Sequence, residues 1–188
     1  SRSLITLVLL SSLISFLKFN HCRNNDFTSP DNYIHACYTD IPALFSERGL
    51  NTNTFPYLSA ANSMEYPPVT GLFAWAISFI TPNSSNVLYF HLNILFLIMM
   101  YFISALILKA LAPKYLYLFL ASPAVIASLF INWDLIAVAS ALLTVYFFEK
   151  KKYEESAIAL GISIATKFFP IVMLLPIAII FYRKKQIK

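Results

Sequence analysis

Val87 to Leu108 runs for 22 residues without a formal charge. That stretch constrains the solvent in which the chain folds. About 20 apolar residues in a row make a helix about 30 Å long, enough to cross a hydrocarbon core. A surface helix of a soluble domain carries polar residues on one face instead. The composition agrees. Of 188 residues, 59% are hydrophobic and 12% are charged, and the mean hydropathy is +0.67. A soluble domain carries about 25% charged residues. These values exclude a soluble enzyme, a disordered chain and a repeat fibre. Two cysteines exclude a disulfide-dense secreted module. The expected fold is an all-α polytopic integral membrane protein, a single membrane domain over 1–188.

Charge is segregated along the chain. Asn20 to Pro68 holds five acids against two bases, a net charge of −3. Nine bases fall in three later clusters, at Lys109 and Lys114, at Lys150 to Lys152, and from Arg183 to Lys188. A nucleic-acid binder would not separate its charge in this way, and no nucleic-acid partner is expected. Positive-inside bias does separate it.

Leu4 to Leu17 reads as a first membrane helix over 1–19. A secretory signal would need a more basic start and a small-residue cleavage site, and neither is present. The loop 20–68 is polar with seven aromatics, too long for an ordinary connection. Within it, Ile41 to Arg48 reads as a short helix with Pro42 near its start, Asp40 as N-cap and Gly49 as stop. Val69 to Ile80 is apolar but only 12 residues long, which predicts a half-depth or re-entrant helix.

The segment 69–188 then reads as a helical bundle with short hairpins. Tyr115 to Ile131 and Leu135 to Phe148 form apolar legs around Asn132-Trp133-Asp134. Ser156 to Thr166 and Ile171 to Tyr182 form legs around Lys167-Phe168-Phe169-Pro170. Legs of roughly 17–25 Å leave their polar tips inside the outer half of a core about 30 Å thick, where a water-filled cavity would shelter them. The rival reading joins Ser156 to Phe181 into one span with Lys167 at mid-membrane, at a cost of about 2.5–3.5 kcal/mol. With the basic clusters in the cytoplasm, the long loop and both tips meet on the outer face.

An ordered set of short motifs carries a family resemblance. It comprises Cys37-Tyr38-Thr39-Asp40-Ile41-Pro42, Arg48-Gly49-Leu50, Pro56-Tyr57, Glu65-Tyr66-Pro67-Pro68-Val69-Thr70-Gly71, Asn132-Trp133-Asp134-Leu135 and Thr166-Lys167-Phe168-Phe169-Pro170. From Cys22 to about Tyr182 the chain resembles glycosyltransferase family 87 of the GT-C superfamily, the actinobacterial branch in particular. The resemblance implies an inverting membrane mannosyltransferase of a bacterial plasma membrane. Its donor would be a polyprenyl-phosphate-linked sugar, its acceptor a lipid or cell-envelope glycan, and its catalytic loop extracytoplasmic. Such proteins have about twice this length. The resemblance therefore implies that a C-terminal half, which helps bind the lipid donor, is missing from these 188 residues.

In that chemistry a base takes the acceptor's hydroxyl proton, and the resemblance puts an acidic residue of the first outer loop in the role. Asp40 is the candidate, alongside its reading as a helix cap. Glu65 and Tyr66 are substrate-binding candidates: Glu65 precedes prolines that hold Tyr66 and Pro67 extended, and it binds acceptor hydroxyls or pairs with Arg48. Arg48 and Lys167 are candidates for the donor phosphate, the first as a bidentate fork and the second as a point charge. Lys167 alternatively snorkels to an interface. Asp134 assists Asp40, pairs with Lys167 or caps a helix, and Trp133 alternatively anchors at an interface. Cys22 and Cys37 are expected to form a disulfide on an oxidising face, with two free thiols as the alternative. His21, His35 and His91 show no metal-ligand spacing, His91 and Asn93 read as interhelical hydrogen bonders, and no metal or cofactor is expected. The competing functions are a transporter of lipid-linked sugars, which would use the same charges as a substrate path, and a non-catalytic membrane fragment.

Overall fold

Helix boundaries follow local chemistry along the chain. The structure is a computed structural model that describes residues 2–60 and 63–183. α1 spans Arg2–Lys18 and α2 spans Asn20–Asn24. α3 spans Asp31–Ile34, and α4 spans Asp40–Glu47. The cap of α4 is Thr39, not Asp40. Thr39 is extended, and its hydroxyl accepts the Ile41 N–H at 3.2 Å. Asp40 is thus the first helical residue, and its carboxylate is not spent on the cap. Gly49 follows α4 with φ 71°, a left-handed conformation that suits glycine.

α5 spans Pro68–Ser78, with proline at its first position, where no N–H is needed. α6 spans Asn86–Leu111 and is the one described helix long and apolar enough to cross a membrane. Ser85 caps it by accepting the Leu88 N–H at 3.2 Å. The expected apolar leg from Tyr115 to Ile131 is not one helix. It is α7, Leu116–Ala121, followed by α8, Pro123–Ser128. Pro123 holds Ser122 extended (ψ 123°) and cannot bond back into the preceding turn. α9 spans Asp134–Glu149 and α10 spans Tyr153–Thr166. A 3-10 turn over Phe169–Met173 leads into α11, Leu174–Arg183. Lys184, Lys185 and Lys188 of the last basic cluster lie outside the described residues. Among the described residues all regular structure is helical.

Packing fixes the directions of these helices. Ser11 of α1 donates to the Leu120 carbonyl at 2.6 Å, and Lys18 to the Ala127 carbonyl at 3.0 Å, so α7 and α8 run alongside α1 in the same direction. α6 runs against α1, with Phe19 on Phe90 near one end and Ser11 and Tyr101 both bonded to Leu120 further along. α10 runs against α9: Ser163 bonds the Ala137 carbonyl at 2.7 Å and Ser156 the Thr144 carbonyl at 2.8 Å. α11 turns back again, because Phe181 packs on Tyr153 (5.0 Å between ring centroids) and Phe148 (5.7 Å). The segment from Ser156 to Phe181 is therefore a hairpin rather than one span. α6 and α9 end, α10 begins and α11 ends at one end of the bundle, with Lys109, Lys150 to Lys152 and Arg183. The long loop and both polar tips lie at the other.

The α9–α10 contact is built from small residues. Ala137, Ser140, Thr144, Ser156, Ala159 and Ser163 are buried between the helices, while Ile158 and Ile162 face outward. Outward-facing branched apolar residues also cover α1 (Ile5, Leu9, Leu13, Leu17) and the last hairpin (Ile171, Val172, Leu175). Small residues inside and large apolar ones outside is how helices pack in lipid, where apolar surface gains little by leaving its surroundings.

Candidate functional site

The site forms where the long loop lands on the two tips. Thr39 donates its hydroxyl to the Phe130 carbonyl at 2.9 Å or the Ile131 carbonyl at 3.0 Å, and the Asp40 N–H donates to Ile131 at 2.8 Å. These bonds seat the start of α4 on the turn that leads to Asn132-Trp133-Asp134. Trp133 is not an interfacial anchor. It is buried, and its indole N–H donates to the Asn93 side chain at 2.7 Å. Asn93 does bond between helices, and His91 stands 3.4 Å from the Arg23 guanidinium. Thr70 donates to the Thr166 carbonyl at 2.7 Å, which brings α5 to the second tip.

Tyr66 stands at the junction. Its hydroxyl donates to Asp40, its ring meets Trp133 edge-on at 5.6 Å, and the Lys167 ammonium sits over that ring at 4.7 Å. Lys167 donates to Asp134 at 2.7 Å. It is extended (φ −151°, ψ 142°), because α10 ends at Thr166 ahead of Pro170. Tyr57 holds the Tyr66 segment from behind, its hydroxyl within 3.0 Å of the Tyr66 and Pro67 carbonyls.

A cavity of about 510 Å³ opens at this point, lined by Asp40, Glu65, Tyr66 and Lys167 together with Tyr38 and Glu47. Its volume falls in the range of small-molecule sites. The structure therefore gathers four of the sequence candidates in one wall. The other two stand one layer back. Arg48 bonds Glu65 through both nitrogens of its fork, with Nε at 3.1 Å from Oε2. Asp134 backs Lys167 and lines an adjoining cavity of about 300 Å³ with Phe169. The sequence reading missed Tyr38 and Glu47. Glu47 follows Asp40 by seven residues, and helical periodicity puts Asp40, Leu44 and Glu47 on one face. Burial first, then the charge and hydrogen bond of Asp40, push the Tyr38 hydroxyl up to about 12. Tyr66 is raised further, again by burial first and then by its bond to Asp40. Both phenols stay protonated at neutral pH, and the Tyr66 hydroxyl donates to Asp40.

Cys22 and Cys37 are bonded to each other. The bond closes the loop that carries α2 and α3 and leads directly into Thr39 and Asp40. Histidine spacing alone did not reveal one further cluster: His21, Asp31 and His35 come together on this closed loop, away from the cavity.

Comparison with known proteins bears on the same wall. Residues 126–187 match the sequence family described as Mannosyltransferase (PIG-M). That third of the chain is similar to a mannosyltransferase. The matched stretch contains Trp133, Asp134 and Lys167, so the cation side of the cavity lies within it. The match supports a mannosyltransferase-like glycosyltransferase. No curated protein and no solved structure matches the chain.

Proposed function

We propose that the chain is the loop-bearing part of a membrane mannosyltransferase, of the kind represented by glycosyltransferase family 87, and that the cavity is its transfer site. The observation that carries this reading is the placement of an acid and a cation on a single tyrosine, Tyr66, in a cavity whose cation wall lies in the matched segment.

Transfer to a hydroxyl needs a base on one side of the anomeric carbon and charge stabilisation of the leaving phosphate on the other. Asp40 takes the acceptor's proton as its oxygen bonds to the anomeric carbon. The bond from that carbon to the phosphate oxygen breaks, and the electron pair leaves with the polyprenyl phosphate. Attack from the face opposite the leaving group inverts the centre. Lys167 has three N–H donors, one of which is held by Asp134, leaving two for the phosphate. Glu65, steadied by Arg48, and Glu47 offer acceptors to sugar hydroxyls. Tyr66 sets the spacing between base and cation, and its hydroxyl keeps the Asp40 carboxylate turned into the cavity.

The apolar outer faces of α1, α6 and α11 suit lipid, and the charge segregation suits cytoplasmic basic clusters with the cavity at the outer surface of a bacterial plasma membrane. A lipid-linked donor reaches such a site by lateral diffusion. The test supplies membranes containing the protein with labelled polyprenyl-phosphate-mannose or with labelled GDP-mannose. The reading expects transfer to lipid or glycan from the first donor alone. Transfer from the nucleotide sugar only would overturn it.

A further inference from the structure

His21 lies in α2, Asp31 begins α3 and His35 follows α3. Nothing in the transfer reading uses these residues. The His21 Nε2 lies 2.6 Å from Asp31 Oδ2 and the His35 Nε2 lies 3.3 Å from Asp31 Oδ1, so two imidazoles face the two oxygens of one carboxylate. Their rings stand 3.8 Å apart between centroids. The candidate donor atoms all lie within 4.8 Å of one another.

The covalent frame explains the convergence. His21 is adjacent to Cys22 and His35 lies two residues before Cys37, so the disulfide, with its Cα atoms 6.1 Å apart, brings both imidazoles to one place. The i, i+4 relation then puts Asp31 against His35. Asn25 donates to Asp31 from the side and orients the carboxylate, as partners behind metal ligands do. Two imidazoles converging on one carboxylate supply three candidate ligand atoms in one place.

We propose that His21, Asp31 and His35 bind a divalent transition ion of borderline softness, zinc first, as a structural clamp on the outer loop. Two imidazole nitrogens and one carboxylate oxygen suit zinc, copper or nickel and are a poor set for calcium or magnesium, which prefer oxygen donors throughout. At a bond length of about 2.0–2.1 Å, tetrahedral ligands sit about 3.3 Å apart. The present spacing, within 4.8 Å throughout, has to close by at most about 1.5 Å to reach that. Each imidazole binds through Nε2 as a neutral ring with its proton on Nδ1. Side chains 51% exposed for His21 and 46% for His35 leave the fourth position to water. The ion takes no part in transfer. Its effect reaches the cavity through Tyr33, stacked at 5.1 Å on Tyr38.

The test uses the full chain in detergent with its disulfide intact. Cobalt(II) serves as the spectroscopic probe and zinc is titrated calorimetrically at pH about 7.5. Wild type is expected to bind one equivalent of each, with visible cobalt absorption of a four-coordinate site, and zinc is expected to raise its melting temperature. His21→Ala and His35→Ala each weaken zinc binding at least tenfold, and His91→Ala leaves it unchanged. Equal binding by wild type and the His21→Ala/His35→Ala double variant overturns the proposal. So does wild type that takes up no cobalt, a result that needs no variant to fold.

Discussion

A tyrosine organises the site. Tyr66 reaches Asp40 with its hydroxyl and Lys167 with its ring, and Tyr38 lines the same cavity. Both hydroxyls are raised above the ordinary tyrosine value of about 10. The sign of the linkage follows. A phenol whose pKa is higher in the folded chain stabilises it fully below about pH 10, and that contribution fades as pH rises through its folded value, about 12 for Tyr38. Thermal unfolding between pH about 9 and about 12 is therefore expected to show a steeper loss in wild type than in Tyr38→Phe. Equal slopes would remove Tyr38 from the buried network. At this scale the sequence was partly legible. Lys167 stood out as a lone cation among apolar and aromatic neighbours, whereas Asp40 was singled out through the family resemblance and Glu65 by the two prolines that follow Tyr66. The pairing of Lys167 with Asp134 was one of several open readings, because a sequence does not say which of two tips meet.

Elements depend on a few local contacts. Gly71 lies one turn into α5 with its Cα against the Tyr57 hydroxyl, and a Cβ there would overlap that hydroxyl. Tyr57 cannot swing away freely, since the same hydroxyl bonds the Tyr66 and Pro67 carbonyls. Gly71→Ala is expected to destabilise by about 1–3 kcal/mol, as overpacking does, and to loosen Tyr66. Its melting temperature should fall, whereas Gly161→Ala, with nothing within 4 Å of its Cβ position, should hold or raise it. A Gly71→Ala variant as stable as wild type would contradict the contact. Element boundaries show where sequence reasoning works. α6 follows from an unbroken apolar run and α4 from Pro42 and Gly49. The break between α7 and α8 was legible in Ser122-Pro123 and was read over because the run stays apolar. The cap of α4 passed to Thr39 because that hydroxyl is also held by the Phe130–Ile131 turn, a tertiary contact no local pattern carries.

On the scale of the whole molecule, the bundle separates its charges by end. The loop, Asp40 and both tips lie at one end, and Lys109, Lys150 to Lys152 and Arg183 at the other. The alternation of helix directions was legible from the basic clusters. The seating of the loop on the tips was not, because it depends on bonds 91 or more residues apart, such as Thr39 to Phe130. The proposed orientation makes an expectation for intact cells. A membrane-impermeant maleimide should label Leu58→Cys, exposed in the loop, and should label Lys151→Cys only after permeabilisation. The reverse pattern would invert the topology and put the cavity in the cytoplasm. The central claim is that this cavity transfers a sugar with Asp40 as base. The most direct measurement is mannosyl transfer from polyprenyl-phosphate-mannose by membranes carrying wild type or Asp40→Asn at equal expression. Asparagine keeps the shape and the bond from Tyr66 but cannot take a proton, so the account predicts a fall in rate of roughly 10²–10⁴-fold. Transfer at the wild-type rate by Asp40→Asn would contradict it.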